Sequence, residues 1–221
     1  MKGMPSNLSA LVVVIIGAGA LTACQTAEVE PPESFLAGYK VAEPTAAEVT
    51  VCHGYNCRYR SRLKITPADL KDIGAIFDAA PTSPVGERTA MSEAIGLIEK
   101  KTGVVIGTSD DEGGTLNHND IGNPSKQDCV DEAATATSYL LMMQQNGFFK
   151  HHRVVKPRVR GIFIDGRWQH FTAVVRETAS GDDWAIDSWF RPNGQPAVVM
   201  TIGDWLTDYA GVEAKQLPAD S

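Results

Sequence analysis

The stretch DCVDEAATATSYLLMMQQNG (residues 128–147) and the run RVRGIFIDGRWQHFTAVVRETASGDDWAIDSWF (residues 158–190) decide the fold class. Asp128 is a good N-cap. Cys129 then falls in the first turn of a helix that carries Val130, Ala133, Ala134, Thr137, Leu140 and Leu141 at helical spacing and stops at Asn146-Gly147. Beyond Pro157 the period changes to two. Residues 159–164 read as a strand, Asp165-Gly166 as a tight turn, and residues 167–176 as a second strand. A polar turn near Ser180-Gly181-Asp182 and a third strand over residues 184–190 follow. A helix followed by an antiparallel meander is an α+β arrangement.

Toward the N-terminus, Thr66 as N-cap, Pro67 at N1 and Asp69 near N3 start a helix whose apolar face is Leu70, Ile73, Ile76 and Phe77. After the Pro81–Pro84 break, a second helix is expected over residues 86–101, with Met91, Ala94, Ile95 and Ile98 on one side and Gly103 as its stop. Residues 108–126 form a long loop rich in Gly, Asp and Asn. Short strands at 49–51 and 58–65 bracket Cys52 and Cys57.

Residues 25–47 are rich in acids, Ala and Pro and show no sustained apolar period, so they read as a tether, with one domain over 48–221. The first 23 residues carry Lys2, an apolar run over 8–21 and a small-residue end, which is a secretory signal rather than a membrane span. Leu21-Thr22-Ala23-Cys24 resembles the lipobox of bacterial lipoproteins. That resemblance implies a diacylglycerol thioether and an acyl amide, such as palmitate, on Cys24. It places the chain on a membrane, facing the periplasm. Gln25 favours the outer membrane by similarity to lipoprotein sorting. The chain has a net charge of −7 and no long Lys/Arg cluster, which argues against nucleic acid as a partner.

With Cys24 assigned to lipid, Cys52 and Cys57 are expected to pair in an oxidising compartment. The competing metal reading, with His53, lacks further ligands at metal-site spacing. Cys129 remains as a lone thiol at a helix N-terminus, where the dipole and free N–H groups favour thiolate and can also hold an oxyanion. His170 alternates onto one strand face with Trp168, Thr172 and Val174, and Asp187 lies in the next strand. Direct opposition of His170 and Asp187 requires a hairpin centred between Thr178 and Ala179. A tight turn on Ser180-Gly181 instead opposes His170 to Arg191 on the same face.

The order Cys, His, Asp, in Asp128-Cys129-Val130-Asp131-Glu132-Ala133, His170-Phe171-Thr172-Ala173-Val174-Val175 and Ala185-Ile186-Asp187-Ser188-Trp189, resembles the transglutaminase-like cysteine hydrolases, nearest their bacterial peptidase branch. The resemblance spans about residues 122–190. It implies a papain-like core with Cys129 as nucleophile, His170 as base and Asp187 as orienter, acting on amides of proteins or peptidoglycan peptides by hydrolysis or acyl transfer. No tryptophan directly precedes the cysteine, and Ser188-Trp189 follows the aspartate where that branch more often has asparagine. Asn123 or Gln127 is the expected side-chain oxyanion donor. The alternative is a non-catalytic module of the same fold that binds an envelope protein or peptidoglycan. No cofactor is required, although the oxygen-rich segment Asp110 to Asp120 resembles a calcium site without EF-hand spacing. Lys150-His151-His152-Arg153 reads as a basic turn, and Trp168, Trp184, Trp189 and Trp205 as core or cleft lining.

Overall fold

The computed structural model describes residues 30–161 and 169–207. The signal segment with Cys24, the Asp165-Gly166 turn, Trp168 and the end of the strand expected over 159–164 lie outside the described residues.

Among these residues the chain is α+β, with five α-helices and six strands in two antiparallel sheets. Strands β1 (Glu48–His53) and β2 (Tyr59–Lys64) form a hairpin registered from Glu48 opposite Lys64 to His53 opposite Tyr59. The second sheet has the order β3 (His152–Arg160), β4 (His170–Glu177), β5 (Asp183–Asp187), β6 (Val198–Thr201). Helix α4 (Cys129–Gln145) packs on both sheets and is buried along every face from Cys129 to Met143. A helix buried on every face is a central element rather than a surface one. Its alanines 133, 134 and 136 let strands approach closely, while Tyr139, Leu140, Met142 and Met143 fill the core against Val49, Ile95, Val175 and Ile186. Each large apolar side chain buried there contributes roughly 1.5–3 kcal/mol of transfer free energy.

The N-terminal boundary differs from the composition-based expectation. Helix α1 (Pro32–Gly38) buries Phe35 and Leu36, and Val41 follows them into the core, so the domain begins well before residue 48. Phe35 meets the Phe171 ring at 6.0 Å on β4. Three apolar residues suffice to dock this segment, but Glu and Pro dominate its composition.

Helix α2 (Pro67–Ala79) starts as expected, with the reciprocal Thr66–Asp69 capping box. Helix α3 (Pro84–Ile106) is longer at both ends than expected. Pro84 stands at N1, where a missing N–H costs nothing, with Ser83 as cap. Gly103 does not stop the helix. A Cβ there would lie 2.6 Å from the Asn193 side chain, so its smallness serves packing, and Gly107 at φ 87° closes the helix instead. Strand β3 starts before Pro157 rather than after it, and a register shift between Val155 and Arg158 accommodates the proline. Strand β5 ends at Asp187, short of the expected residue 190. Strand β6 and α5 (Ile202–Thr207) were not foreseen.

Candidate active site

Asp128 caps α4 in full. Its Oδ1 accepts from the N–H groups of Val130 at 3.1 Å and Asp131 at 2.9 Å, and the Asp131 carboxylate returns to the Asp128 N–H at 3.2 Å. Cys129 directly follows, 5% exposed, with Sγ 3.7 Å from the Gln169 carbonyl beside His170. Burial pushes its thiol up to about 12, and the charges of Asp128 and Asp187 act in the same direction. The sequence argument for a stabilised thiolate is therefore corrected. Two of the helix-end N–H groups, those of Val130 and Asp131, are engaged by the Asp128 carboxylate, which itself repels negative charge; the backbone N–H groups of Phe171 and Cys129 favour the thiolate but are outweighed by burial.

His170 and Asp187 are joined. Nε2 and Oδ2 are 2.7 Å apart, with both side chains about 2% exposed. The hairpin register runs from Ala173 opposite Ile186 to Arg176 opposite Asp183, which centres the turn between Ala179 and Ser180. This lies midway between the two registers considered from sequence. Continued to the strand start, it sets His170 across from Trp189 and leaves Asp187 as a diagonal neighbour on the same face. Long side chains bridge diagonals in antiparallel sheets. A carboxylate only accepts, so Nε2–H donates to Asp187 and the neutral ring keeps its lone pair on Nδ1. That buried Nδ1 has no hydrogen-bond partner, the Cys129 thiol included.

The indole N–H of Trp205 donates to the same Oδ2 at 2.7 Å. Trp205 is fully buried, and the rings of Trp189, Phe190 and Trp205 surround His170 at centroid distances of 4.7, 5.1 and 5.6 Å. Arg160, across β3 from His170, stacks on the Trp205 ring at 4.4 Å and donates to the Trp205 carbonyl. Trp205, read from sequence as core or cleft lining, is core, but its bond to Asp187 and the part played by Arg160 were not foreseen, because Trp205 arrives from a short helix after an unpredicted strand. Trp184 lies elsewhere, beneath Arg88 at 3.5 Å.

Neither expected oxyanion donor reaches Cys129 by a hydrogen bond. Asn123 Oδ1 accepts from the N–H and hydroxyl of Ser125, folding onto its own loop, and Gln127 Nε2 donates to the Cys52 carbonyl at 2.8 Å. The loop between β1 and β2 explains the burial of Asp131. Gly54, Tyr55, Asn56 and Cys57 all have left-handed backbones, with φ of 82°, 68°, 54° and 51°. In this turn the N–H groups of Tyr55 and Cys57 converge on the Asp131 carboxylate at 2.7 and 2.6 Å. Burial and the Asp128 charge push Asp131 up to about 8 against those donors. Cys52 and Cys57 stand at disulfide distance, with Cα atoms 4.6 Å apart, and close the turn.

Cys52, Cys57 and Asp131 also form the one cluster of three metal-type side chains within 4.8 Å among the described residues. Bonded cysteines and an N–H-saturated carboxylate make a poor ligand set. His53 is held by the Pro124 carbonyl and Ser61. The oxygen-rich loop does not form a calcium cage among the described residues. Asp111 instead accepts from the Gln127 N–H, and Asn117 caps its own turn.

A buried carboxyl pair borders the site. Ser188, next to Asp187, donates to Glu132 Oε2 at 2.5 Å, and Glu132 lies one helical turn after Cys129. Glu99 on α3 accepts from the Gly194 N–H at 3.2 Å, while its Oε1 has no partner. Burial pushes Glu99 up to about 8, and burial plus Glu99 raise Glu132 well above the carboxylate range. The Ser188–Glu132 bond thus ties the end of β5 to the start of α4. No protein-family model, curated protein or solved structure matches this chain.

Proposed function

We propose that the chain is a lipid-anchored, periplasm-facing thiol hydrolase or acyltransferase of papain-like, transglutaminase-like type, acting on amide bonds of proteins or peptidoglycan peptides. The observation that carries this reading is the buried His170–Asp187 bond, with a free Nδ1 on the imidazole and a cysteine at the adjoining helix start. In the proposed step Nδ1 takes the Cys129 proton while sulfur attacks the carbonyl carbon. The imidazolium returns that proton to the departing amine, and water or a second amine cleaves the thioester and regenerates the thiol. Because the resting thiol is held neutral, proton transfer accompanies attack rather than preceding it. Asp187 stabilises the imidazolium as it forms. Among the described residues no helix is long and apolar enough to cross a membrane, which is compatible with attachment through Cys24.

A second reading, a binding module that keeps the fold without turnover, draws on the raised Cys129 pKa and the missing Cys129–His170 hydrogen bond. An electrophilic acyl-amide probe separates the two. Time-dependent acylation of Cys129 that is lost in His170→Ala supports the hydrolase, and acylation no faster than that of a free peptide cysteine supports the module. For the anchor, Cys24→Ala is expected to abolish acyl labelling and membrane partitioning.

A further inference from the structure

Away from the candidate site, a cavity of about 580 Å³ opens between β2, α2 and α3. Pockets that hold small molecules span roughly 300–1,000 Å³ and are walled mainly by apolar groups. Here the walls are Leu63, Ile65, Ile73, Leu97 and Ile98. The extension of α3 past Gly103 adds Val104 and Val105, which are 75% and 69% exposed. Two adjacent valines in water, continuous with an apolar cavity, form an exposed greasy lip of the kind that marks a binding site.

The polar groups around the cavity identify the guest. Thr66 Oγ1 is bonded to Asp69 at 2.7 Å, and Thr102 Oγ1 to the Tyr139 hydroxyl at 2.9 Å. Asp69 and Asp72 both hold Lys101, at 2.8 Å each. The Ile65 N–H goes to the Ala47 carbonyl. A peptide entering the cavity would find these side chains already engaged, and each of its own N–H and C=O groups left unpaired would cost about 1–3 kcal/mol. A polymethylene chain carries no such groups. Two lysines of the lining, Lys64 and Lys100, are exposed and form no salt bridge among the described residues. They supply positive charge where the cavity meets solvent.

We propose that this cavity binds one long-chain fatty carboxylate, with its hydrocarbon chain between β2, α2 and α3 and its head group at Lys64 and Lys100. The site is separate from Cys129, His170 and Asp187, so it stands whether or not the chain is a hydrolase.

The test is calorimetric titration of the full chain, made by cell-free synthesis so that Cys24 carries no acyl group, with oleate below its micellar concentration. Saturable binding of one oleate per chain is expected. Leu97→Trp, which fills the cavity, should weaken it at least tenfold, and Val105→Trp, at an exposed position that folding tolerates, should weaken it several-fold. The double variant Lys64→Glu, Lys100→Glu should lose affinity for oleate but keep it for oleyl alcohol. Thermal melts confirm that each variant is folded. Absence of saturable uptake, binding of many oleates per chain that Leu97→Trp leaves unchanged, or binding only to anionic phospholipid vesicles would each overturn the proposal.

Discussion

On the sheet, His170 and Asp187 are buried and already bonded, and three aromatic rings surround the imidazole. On helix α4, Cys129 is equally buried but is held as a thiol beside a carboxylate that occupies the helix N-terminus. The sheet half is arranged to support a positive charge on the imidazole, and the helix half is arranged against a negative charge on sulfur. A stable thiolate–imidazolium pair at rest is disfavoured by this asymmetry, and in the proposed hydrolase the sulfur would become nucleophilic only as its proton moves to Nδ1. Such a hydrolase would be slow toward small electrophiles when no substrate is bound.

The largest expected effect comes from breaking the sheet half. Asp187→Asn should preserve the fold but lower turnover by about 10⁴-fold, because the amide cannot stabilise the imidazolium and favours the wrong tautomer. Single-turnover acylation of Cys129 measures this. Trp205→Phe removes one donor from the same carboxylate oxygen, and a loss of about 1.4 kcal/mol in orientation corresponds to tenfold in rate. A loss as large as that of Asp187→Asn would show that Trp205 holds the pair together rather than tuning it.

The helix half is probed through pH. Alkylation of Cys129 by iodoacetamide should rise only well above neutral pH, since burial and then Asp128 raise the thiol. Asp128→Asn keeps a capping side chain but removes the charge. It should move the profile toward lower pH by up to about one unit, equivalent to roughly 1.4 kcal/mol. A profile that stays in place would assign the shift to burial and Asp187.

The tie between the halves makes a thermodynamic prediction. Glu99, at about 8, and Glu132 have folded pKa values above those of the unfolded chain. The folded state therefore holds more protons between the two values. The stability that these two groups contribute is fully present below the ordinary carboxylate range and falls as pH rises, through about 8 for Glu99, with a slope of up to about 1.4 kcal/mol per pH unit for each group. Denaturant titrations between pH 5 and 9 measure this, and Glu99→Gln should flatten the slope. Opening the Cys52–Cys57 link acts on stability alone. Loop-closure entropy for so short a loop predicts a loss of about 2 kcal/mol, read as a lower melting temperature under reductant.

Local chemistry was readable from sequence where a residue's role is set by its immediate neighbours. The Thr66 and Asp128 caps, the α4 boundaries and the Cys52–Cys57 pairing all belong to this class. His170 and Asp187 could be placed on one face because any even register offset preserves the face, although the turn itself sits in neither position considered. Features that depend on distant chain were not readable. Helix α1 lies in a segment rich in acids, Ala and Pro and docks through Phe35, Leu36 and Val41, with Phe35 meeting Phe171. Gly103 reads as a stop until Asn193 is packed on it. The same holds for Glu132, a buried carboxyl whose partner Ser188 comes 56 residues later.

Helix α1 also sets a length scale. If Cys24 is fixed in a bilayer, a flexible leash reaching residue 47 would allow the domain to range about 80 Å from the surface at 3.3–3.6 Å per residue. With α1 docked from Pro32 onward, only residues 24–31 remain as leash, or about 30 Å fully extended. An enzyme on so short a leash would work as a surface-confined reagent, sampling amide bonds within roughly one protein diameter of the membrane.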